Sequence, residues 1–328
     1  MKAFVIRSYG SPDVLDLADV PTPVPGDDEV LVRVRATSVQ PYDWHHMRGE
    51  PRLSRLMPGT LGLRRPDIEI LGADVAGEVA AVGRDVTGFA VGDGVFALVV
   101  GGGFAEYACV KAADLAPLPR ALSFEQAAAV PLAAITALLA VRDDGRVRPG
   151  QRVLVNGASG GVGTFAVQLA VAMGAEVTGV CSGRNADLVR GLGASEVVDR
   201  TSVDVTRAGR AYELVIDAAG GHSAWAFRRI LARDGALVVV GGPAGRWVQP
   251  AGHAFAALAL NPFVSQRMTM TDVAGSRNRR ANLLTLTEYL DDGRVVPVID
   301  RSYPFAELPD ALRYSEAGRA RGKVVVTL

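Results

Sequence analysis

The order of local patterns in this 328-residue chain predicts an α/β fold in two parts, a mostly β domain and a doubly wound parallel sheet. Three observations predict it. Residues 1–121 carry short strand-like runs, such as Val30-Leu31-Val32-Arg33-Val34-Arg35-Ala36 and Val75-Ala76-Gly77-Glu78-Val79-Ala80-Ala81-Val82. Turns such as Pro25-Gly26-Asp27-Asp28 and Val91-Gly92-Asp93-Gly94 separate these runs. From about residue 122 strand-like and helix-like runs alternate, which implies parallel strands joined by crossover helices. The chain then closes on a last β run, Lys323-Val324-Val325-Val326. The first domain is therefore expected to comprise 1–121 and 275–328, and the second 122–274.

Each element has its own warrant. Within residues 1–121 only residues 42–48 show a helical period. In the second, β-branched and apolar runs predict strands over 153–156, 176–181, 196–198, 214–217 and 236–240. Apolar residues at three- and four-residue spacing predict helices near 162–173, 186–192 and 223–231. A helical run near 282–290 leads to the final strand, which is expected to return to the first domain.

Residues 153–163 read Val-Leu-Val-Asn-Gly-Ala-Ser-Gly-Gly-Val-Gly, a strand running through a glycine-rich turn into a helix. Such a turn presents bare backbone N–H groups and the positive end of a helix dipole, which together suit a pyrophosphate. Gly157 would permit the sharp turn, Gly160 would let a phosphate approach, and Gly163 would let the helix pack on the strand. Gly161, Val162 and Ser159 complete the cradle. The second strand ends without the acidic residue that bonds a ribose 2′-hydroxyl in NAD-selective sites. Glu176 stands at its other end and Asp187 falls in the next helix. Ser182 and Arg184 occupy the place instead, a hydroxyl and a guanidinium that match a 2′-phosphate. NADPH is therefore the expected cofactor.

Bulk properties narrow the class. The 35 basic and 35 acidic residues give a formal net charge of zero, so no field favours nucleic acid or an anionic membrane. No apolar run approaches the roughly 18 residues of a membrane span. The apolar start of the chain is cut by Arg7, so no secretory signal and a cytoplasmic location are expected. Two cysteines, Cys109 and Cys181, are too few for a disulfide framework and read as buried thiols. The arginines at 277, 279 and 280 lack interleaved aromatics and read as a solvated helix start.

Taken together, these motifs resemble the medium-chain dehydrogenase/reductase superfamily, in its zinc-free, quinone-oxidoreductase-like branch. The likeness spans nearly the whole chain. Its anchors are Gln40-Pro41-Tyr42-Asp43 with Arg48-Gly49, Leu71-Gly72-Ala73-Asp74-Val75-Ala76-Gly77, Gly103-Phe104-Ala105-Glu106-Tyr107, Ala129-Val130-Pro131 with Thr136, the glycine turn, and Gly322-Lys323-Val324-Val325. The resemblance implies a GroES-like β domain plus a Rossmann doubly wound parallel-sheet domain, with the active site in the cleft between them. It also implies cofactor contacts from Thr136, Arg200, Gly241, Gly242, Asn261, Phe263 and Lys323. Phe263 would wall off water; Lys323 would reach a phosphate or serve as a strand-edge charge. Residues 52–70 resemble an insertion found in one subgroup.

The departures bear on mechanism. Where zinc-dependent members place their ligands, this chain has Gln40-Pro41 and Ala73-Asp74, and the four-cysteine structural lobe is absent. Tetrahedral zinc needs three or four converging Cys, His or carboxylate ligands. Of the four histidines only the pair His45 and His46 falls near the expected site, and helix neighbours diverge by about 100°. No metal is expected. Without one, an easily reduced acceptor is required, a quinone or an alkene conjugated to a carbonyl. Tyr42, Gln40 and His45 are the candidate catalytic residues, with Tyr42 a donor to a developing oxyanion or a wall of the pocket. Asp43 is expected to anchor its loop by hydrogen bonds, Asp74 to hold the cleft together, and Trp44 to lie in the core. The expected activity is NADPH-dependent reduction of quinones or other conjugated carbonyls. The alternatives are reduction of 2-alkenals or enoyl thioesters, and a low-turnover NADPH-binding sensor or structural protein. The alternating Met268-Thr269-Met270-Thr271 reads as a half-buried strand, and the resemblance implies pairing of such a strand in a homodimer.

Overall fold

A computed structural model describes every residue except 57–60, 243–244 and 274–277. The first unit opens on a hairpin of β1 (Lys2–Val5) and β2 (Asp16–Asp19). In β3 (Glu29–Val39) Val30, Val32, Val34 and Ala36 are buried on one face, as alternation requires, and Thr37, Ser38 and Val39 are buried without alternation. Helix α1 (Pro41–Arg48) follows at once, with Pro41 in its first turn, where a missing N–H does no harm. Then come β4 (Asp74–Val82), β5 (Gly94–Leu98), β6 (Tyr107–Lys111), β7 (Leu115–Pro117) and α2 (Phe124–Ala128).

Helix α3 (Pro131–Leu138) crosses into the second unit, which runs from Ala133 and holds the alternating elements. These are β8 (Arg152–Asn156), α4 (Gly161–Ala172), β9 (Glu176–Cys181), α5 (Ala186–Gly191), β10 (Glu196–Asp199), β11 (Tyr212–Asp217), α6 (Ala224–Arg228), β12 (Leu231–Val239), α7 (Ala251–Leu258) and β13 (Arg267–Met270). The strands pair in the order β10-β9-β8-β11-β12-β13, all parallel. This is the doubly wound sheet expected, with its strand order reversing at β8. Leu154, Val215, Phe227 and Leu237 belong to its buried core.

The chain then rejoins the first unit through α8 (Arg279–Asp291), β14 (Ile299–Pro304), α9 (Leu308–Glu316) and β15 (Lys323–Thr327), while Arg294–Val296 stay with the second. There β15 lies between β14 and β3 in a sheet ordered β14-β15-β3-β4-β5-β7, and β6 also pairs with β3. The return of the C-terminal strand is thus as expected. The first unit extends past residue 121 to Leu132, and the expected second boundary, at 274/275, lies outside the described residues.

Four helices, α2, α3, α7 and α9, go beyond the sequence expectation. In α3 every residue from Ala133 to Leu138 is buried, so no polar stripe marks a period. Strand β12 begins at Leu231 rather than near 236, because exposed Arg233 and Asp234 read as a turn but sit within a strand whose register with β11 shifts.

The glycine turn carries the tightest packing constraint. Gly157 has φ +85°, the left-handed region that glycine enters freely. A Cβ on Gly163 would lie 2.0 Å from the Gly157 carbonyl oxygen, so no side chain fits there. Gly163→Ala should lower the free energy of unfolding by about 1–3 kcal/mol, the usual cost of overpacking. Chemical denaturation checks it; an unshifted midpoint would show that the turn yields.

Candidate functional site

The first unit gathers its polar chemistry where β3 ends. Asp74 is wholly buried at the start of β4. Its Oδ2 accepts from the Ser38 hydroxyl, from Gln40 Nε2 at 3.0 Å and from Lys323 Nζ at 3.3 Å. Its Oδ1 accepts the Leu132 N–H at 2.8 Å. Lys323 Nζ also donates to Gln40 Oε1 at 2.7 Å. Asp43, in the first turn of α1, accepts the Gln40 backbone N–H at Oδ2 (3.0 Å). Burial, and then the negative charge of Asp74, push the Asp43 carboxyl up to about 8, against the opposing charge of Lys323.

This network corrects two sequence expectations. Lys323 is neither a strand-edge charge nor a phosphate ligand: β15 has a neighbour on each side, and the ammonium, 2% exposed, is held by Gln40 and Asp74. Gln40 is not a free amide for substrate, because its side-chain oxygen and nitrogen both have partners within this cluster. The Asp43 bond to the Gln40 N–H is of the loop-anchoring kind expected of it.

Along α1, Tyr42 is half-buried and donates weakly to the Val100 carbonyl at 3.3 Å. Burial first, and then the Asp43 charge, raise its phenol to about 12, so it remains a hydrogen-bond donor at neutral pH. Its ring lies 4.0 Å from that of His46, whose Nδ1 bonds the Tyr42 carbonyl. His45 stacks on buried Trp44 at 3.8 Å, and burial depresses its imidazole to about 4. It is therefore neutral near pH 7 and not an imidazolium proton donor. Cys109 is half-buried rather than fully buried, while Cys181 is buried.

In the second unit the polar groups collect at the carboxyl ends of the parallel strands, where ligands bind in open α/β sheets. Above Gly160 the space is open: a Cβ there would meet only the Gly157 oxygen, at 3.4 Å. Gly161 opens α4, Val162 follows it, and a twelve-residue helix presents its N-terminal amides. Ser159 accepts from Asn185 Nδ2 at 2.9 Å, and the Asn185 Oδ1 is buried without a partner. After β9, Ser182 accepts from Arg200 Nε at 3.3 Å, and Arg184, two residues further along the same loop, is exposed. Asp199 stands near this loop, but its Oδ1 accepts both the N–H and the hydroxyl of Thr201, at 2.9 and 2.7 Å. Ser159, Ser182, Arg184 and Arg200 are thus brought to one end of the sheet. Open amides, clustered arginine and serine, and an orphaned acceptor fit a phosphorylated dinucleotide.

Other expected contacts fall differently. Thr136 is buried on α3. Asn261 is committed to the sheet, its amide bonding the Met268 carbonyl and N–H, each at 2.8 Å, so it does not offer a free side chain to a nicotinamide. Phe263 is 78% exposed and walls nothing off in its own unit. Arg277 and part of the 52–70 segment lie outside the described residues. Sequence reasoning missed the pair formed by Asp217 and His253, and it set His253 apart from the site. Asp217 ends β11 and Asn156 ends β8; a polar residue closing a β-branched run was the available signal. His253, 36 residues further along, gave none.

Among the described residues no three His, Cys, Asp or Glu side chains stand together as a metal site. The nearest donor cluster, Asp43, Asp74 and Gln40, holds an ammonium, with no thiolate or imidazole. It does not fit zinc. Also among the described residues, no helix is long and apolar enough to cross a membrane.

Comparison with known proteins agrees with this geometry. Residues 26–120 match the alcohol dehydrogenase GroES-like domain, and residues 192–326 match the zinc-binding dehydrogenase family. The chain is 32% identical to the chloroplast envelope quinone oxidoreductase homolog of Arabidopsis thaliana, over 99% of this chain and 98% of that protein. It is 34% identical to the mitochondrial NAD(P)H oxidoreductase RTN4IP1 of Mus musculus, over 100% and 89%. The solved quinone oxidoreductase of Coxiella burnetii superposes with a TM-score of 0.87 at 28% identity, covering 100% of this chain and 99% of that one. A mycobacterial structure complexed with NADPH gives 0.83 at 26% identity, covering 100% of both. The fold and site define an oxidoreductase built from a GroES-like domain and a Rossmann domain. The chain belongs to the medium-chain dehydrogenase/reductase superfamily, and quinone oxidoreductases are among its relatives.

The network yields a pH prediction. In the folded protein Asp43 holds its proton up to about pH 8, whereas an unfolded carboxyl releases it near its ordinary 3.8. Between those limits the native state binds more protons, so this group's stabilisation is full below pH 4 and is lost as pH rises towards 8. Asp43→Asn should flatten that decline by up to one proton's slope, about 1.4 kcal/mol per pH unit. Urea titrations at pH 5 and pH 8 measure it, and an unaltered slope would assign the proton elsewhere.

Proposed function

We propose that this chain is an NADPH-dependent reductase that passes hydride to quinones or other conjugated carbonyl compounds without a metal. The observation that carries the reading is the strand-end cluster of the second unit, an open glycine turn with Ser182, Arg184 and Arg200 beside it. NADPH, when bound, supplies the hydride. The chain's own residues hold and orient it: amides of the glycine turn face the pyrophosphate, and the arginines face the 2′-phosphate. Tyr42, kept protonated by its surroundings, is the donor we assign to the oxygen that gains charge. The neutral His45 and the engaged Gln40 are left with supporting roles. A quinone or conjugated carbonyl suits a protein with one weak donor, because the acceptor delocalises its own charge. The relatives' quinone oxidoreductase and NAD(P)H oxidoreductase names support the same class.

NADPH oxidation assayed against quinones, 2-alkenals, enoyl thioesters and simple aldehydes should show turnover with quinones foremost and no loss on chelation. Turnover with aldehydes alone, abolished by chelator, would refute it, and turnover with none would favour a sensor. For the cofactor, Arg184→Glu should reduce the preference for NADPH over NADH by about tenfold or more, the value of one charge-assisted hydrogen bond. An unchanged ratio would remove Arg184 from the site. We also infer a homodimer built on the β13 edge; a monomer mass in sedimentation at micromolar concentration would contradict it.

A further inference from the structure

Asp217 is wholly buried at the carboxyl end of β11, and every polar atom it owns has work inside the second unit. Its Oδ1 accepts from Asn156 Nδ2 at 2.7 Å and from the Gly220 N–H at 2.8 Å. Its backbone oxygen accepts from Val240 and Gly241, at 2.9 and 3.1 Å. That leaves Oδ2, which meets His253 Nε2 at 2.8 Å. A carboxylate only accepts, so the imidazole carries its hydrogen on Nε2.

Asp217 therefore gathers three segments, β8 and α7 through its side chain and the start of the Gly241–Gly242 segment through its backbone oxygen. Asn156 is the last residue of β8, directly before the glycine turn, and a Cβ on Gly157 would press within 2.9 Å of the Ala219 side chain on the turn that Asp217 shapes. Gly241 and Gly242 follow β12. His253 lies on α7, where its Cβ would stand 3.3 Å from a Cβ placed on Gly242. Through His253, α7 is thus hydrogen-bonded to Asp217, and the same residue packs beside Gly242.

We propose that His253 is a positioning residue of the dinucleotide site: its bond to Asp217 holds the Gly241–Gly242 turn and α7 in register with the glycine turn at 157–163. The inference rests on the reading that this turn binds NADPH. The class of ligand served is a dinucleotide spanning the strand ends, because the held segments flank β8 on the β11–β12 side while the phosphate-selective arginines lie on the β9 side.

The test compares wild type with His253→Ala and His253→Gln. Dissociation constants for NADPH come from fluorescence titration, Michaelis constants from steady-state assays, and thermal midpoints from the free proteins. His253→Ala should raise both the Kd and the KM for NADPH by about tenfold, and the KM for the acceptor by less than about twofold. His253→Gln, whose amide can donate to Asp217, should recover NADPH affinity to within about threefold of wild type. Equal binding by the alanine variant, or failure of glutamine to restore it, would overturn the proposal. If His253→Ala does not fold, His253→Leu replaces it as the variant without a donor. A wild-type protein that does not bind NADPH would overturn the proposed function itself, whereas a binding wild type with indifferent variants overturns only the role of His253.

Discussion

A single buried ion pair organises the first unit. Lys323 and Asp74 stand on strands that flank β3 on opposite sides, and Ser38 and Gln40 at the end of β3 join them. An isolated charge in such a place is strongly disfavoured; a charge met by several donors is tolerated. The consequence reaches beyond the pair. Strand β15 must dock beside β3 for the lysine to find its partners. Gln40 is thereby fixed, and with it the direction in which α1 leaves the sheet. Burial first, and then the charge of Asp74, which the one ammonium only partly offsets, explain why Asp43 retains a proton.

The second unit solves the same problem with different partners. Asp217 is satisfied by an amide, a backbone N–H and an imidazole, with no lysine or arginine among its side-chain partners in the described residues. In both units an aspartate sits at the end of a strand and binds together pieces distant in sequence. These two buried aspartates thus do their work at strand ends.

Much of this was legible in the residues. Alternation of strand and helix sufficed for the parallel sheet, because β-branched runs and periodic helices each leave a local signature. The glycine turn was legible residue by residue: Gly157 and Gly163 are required by φ and by a 2.0 Å approach that no other residue tolerates. Polar side chains were not legible in this way. Whether Gln40, Lys323 or Asn261 faces a ligand or a buried partner depends on residues such as Asp74 and Met268, whose nearness is set by folding. The Lys323–Gln40 bond spans 283 positions, and no spacing rule reaches that far. Helix α3 was hidden for the opposite reason, being apolar on all sides.

The side chain of Asn261 has a quieter effect. By accepting from the N–H and donating to the carbonyl of Met268, its amide imitates a peptide group of a further strand. Those groups of Met268 must point away from β12 for this to happen. Along a strand such outward-facing groups recur every second residue, so within β13 the next set belongs to Met270. Anything that would extend the sheet by backbone pairing is therefore offered only the last rung of this strand, and it must rely on side-chain surface for the rest of its hold.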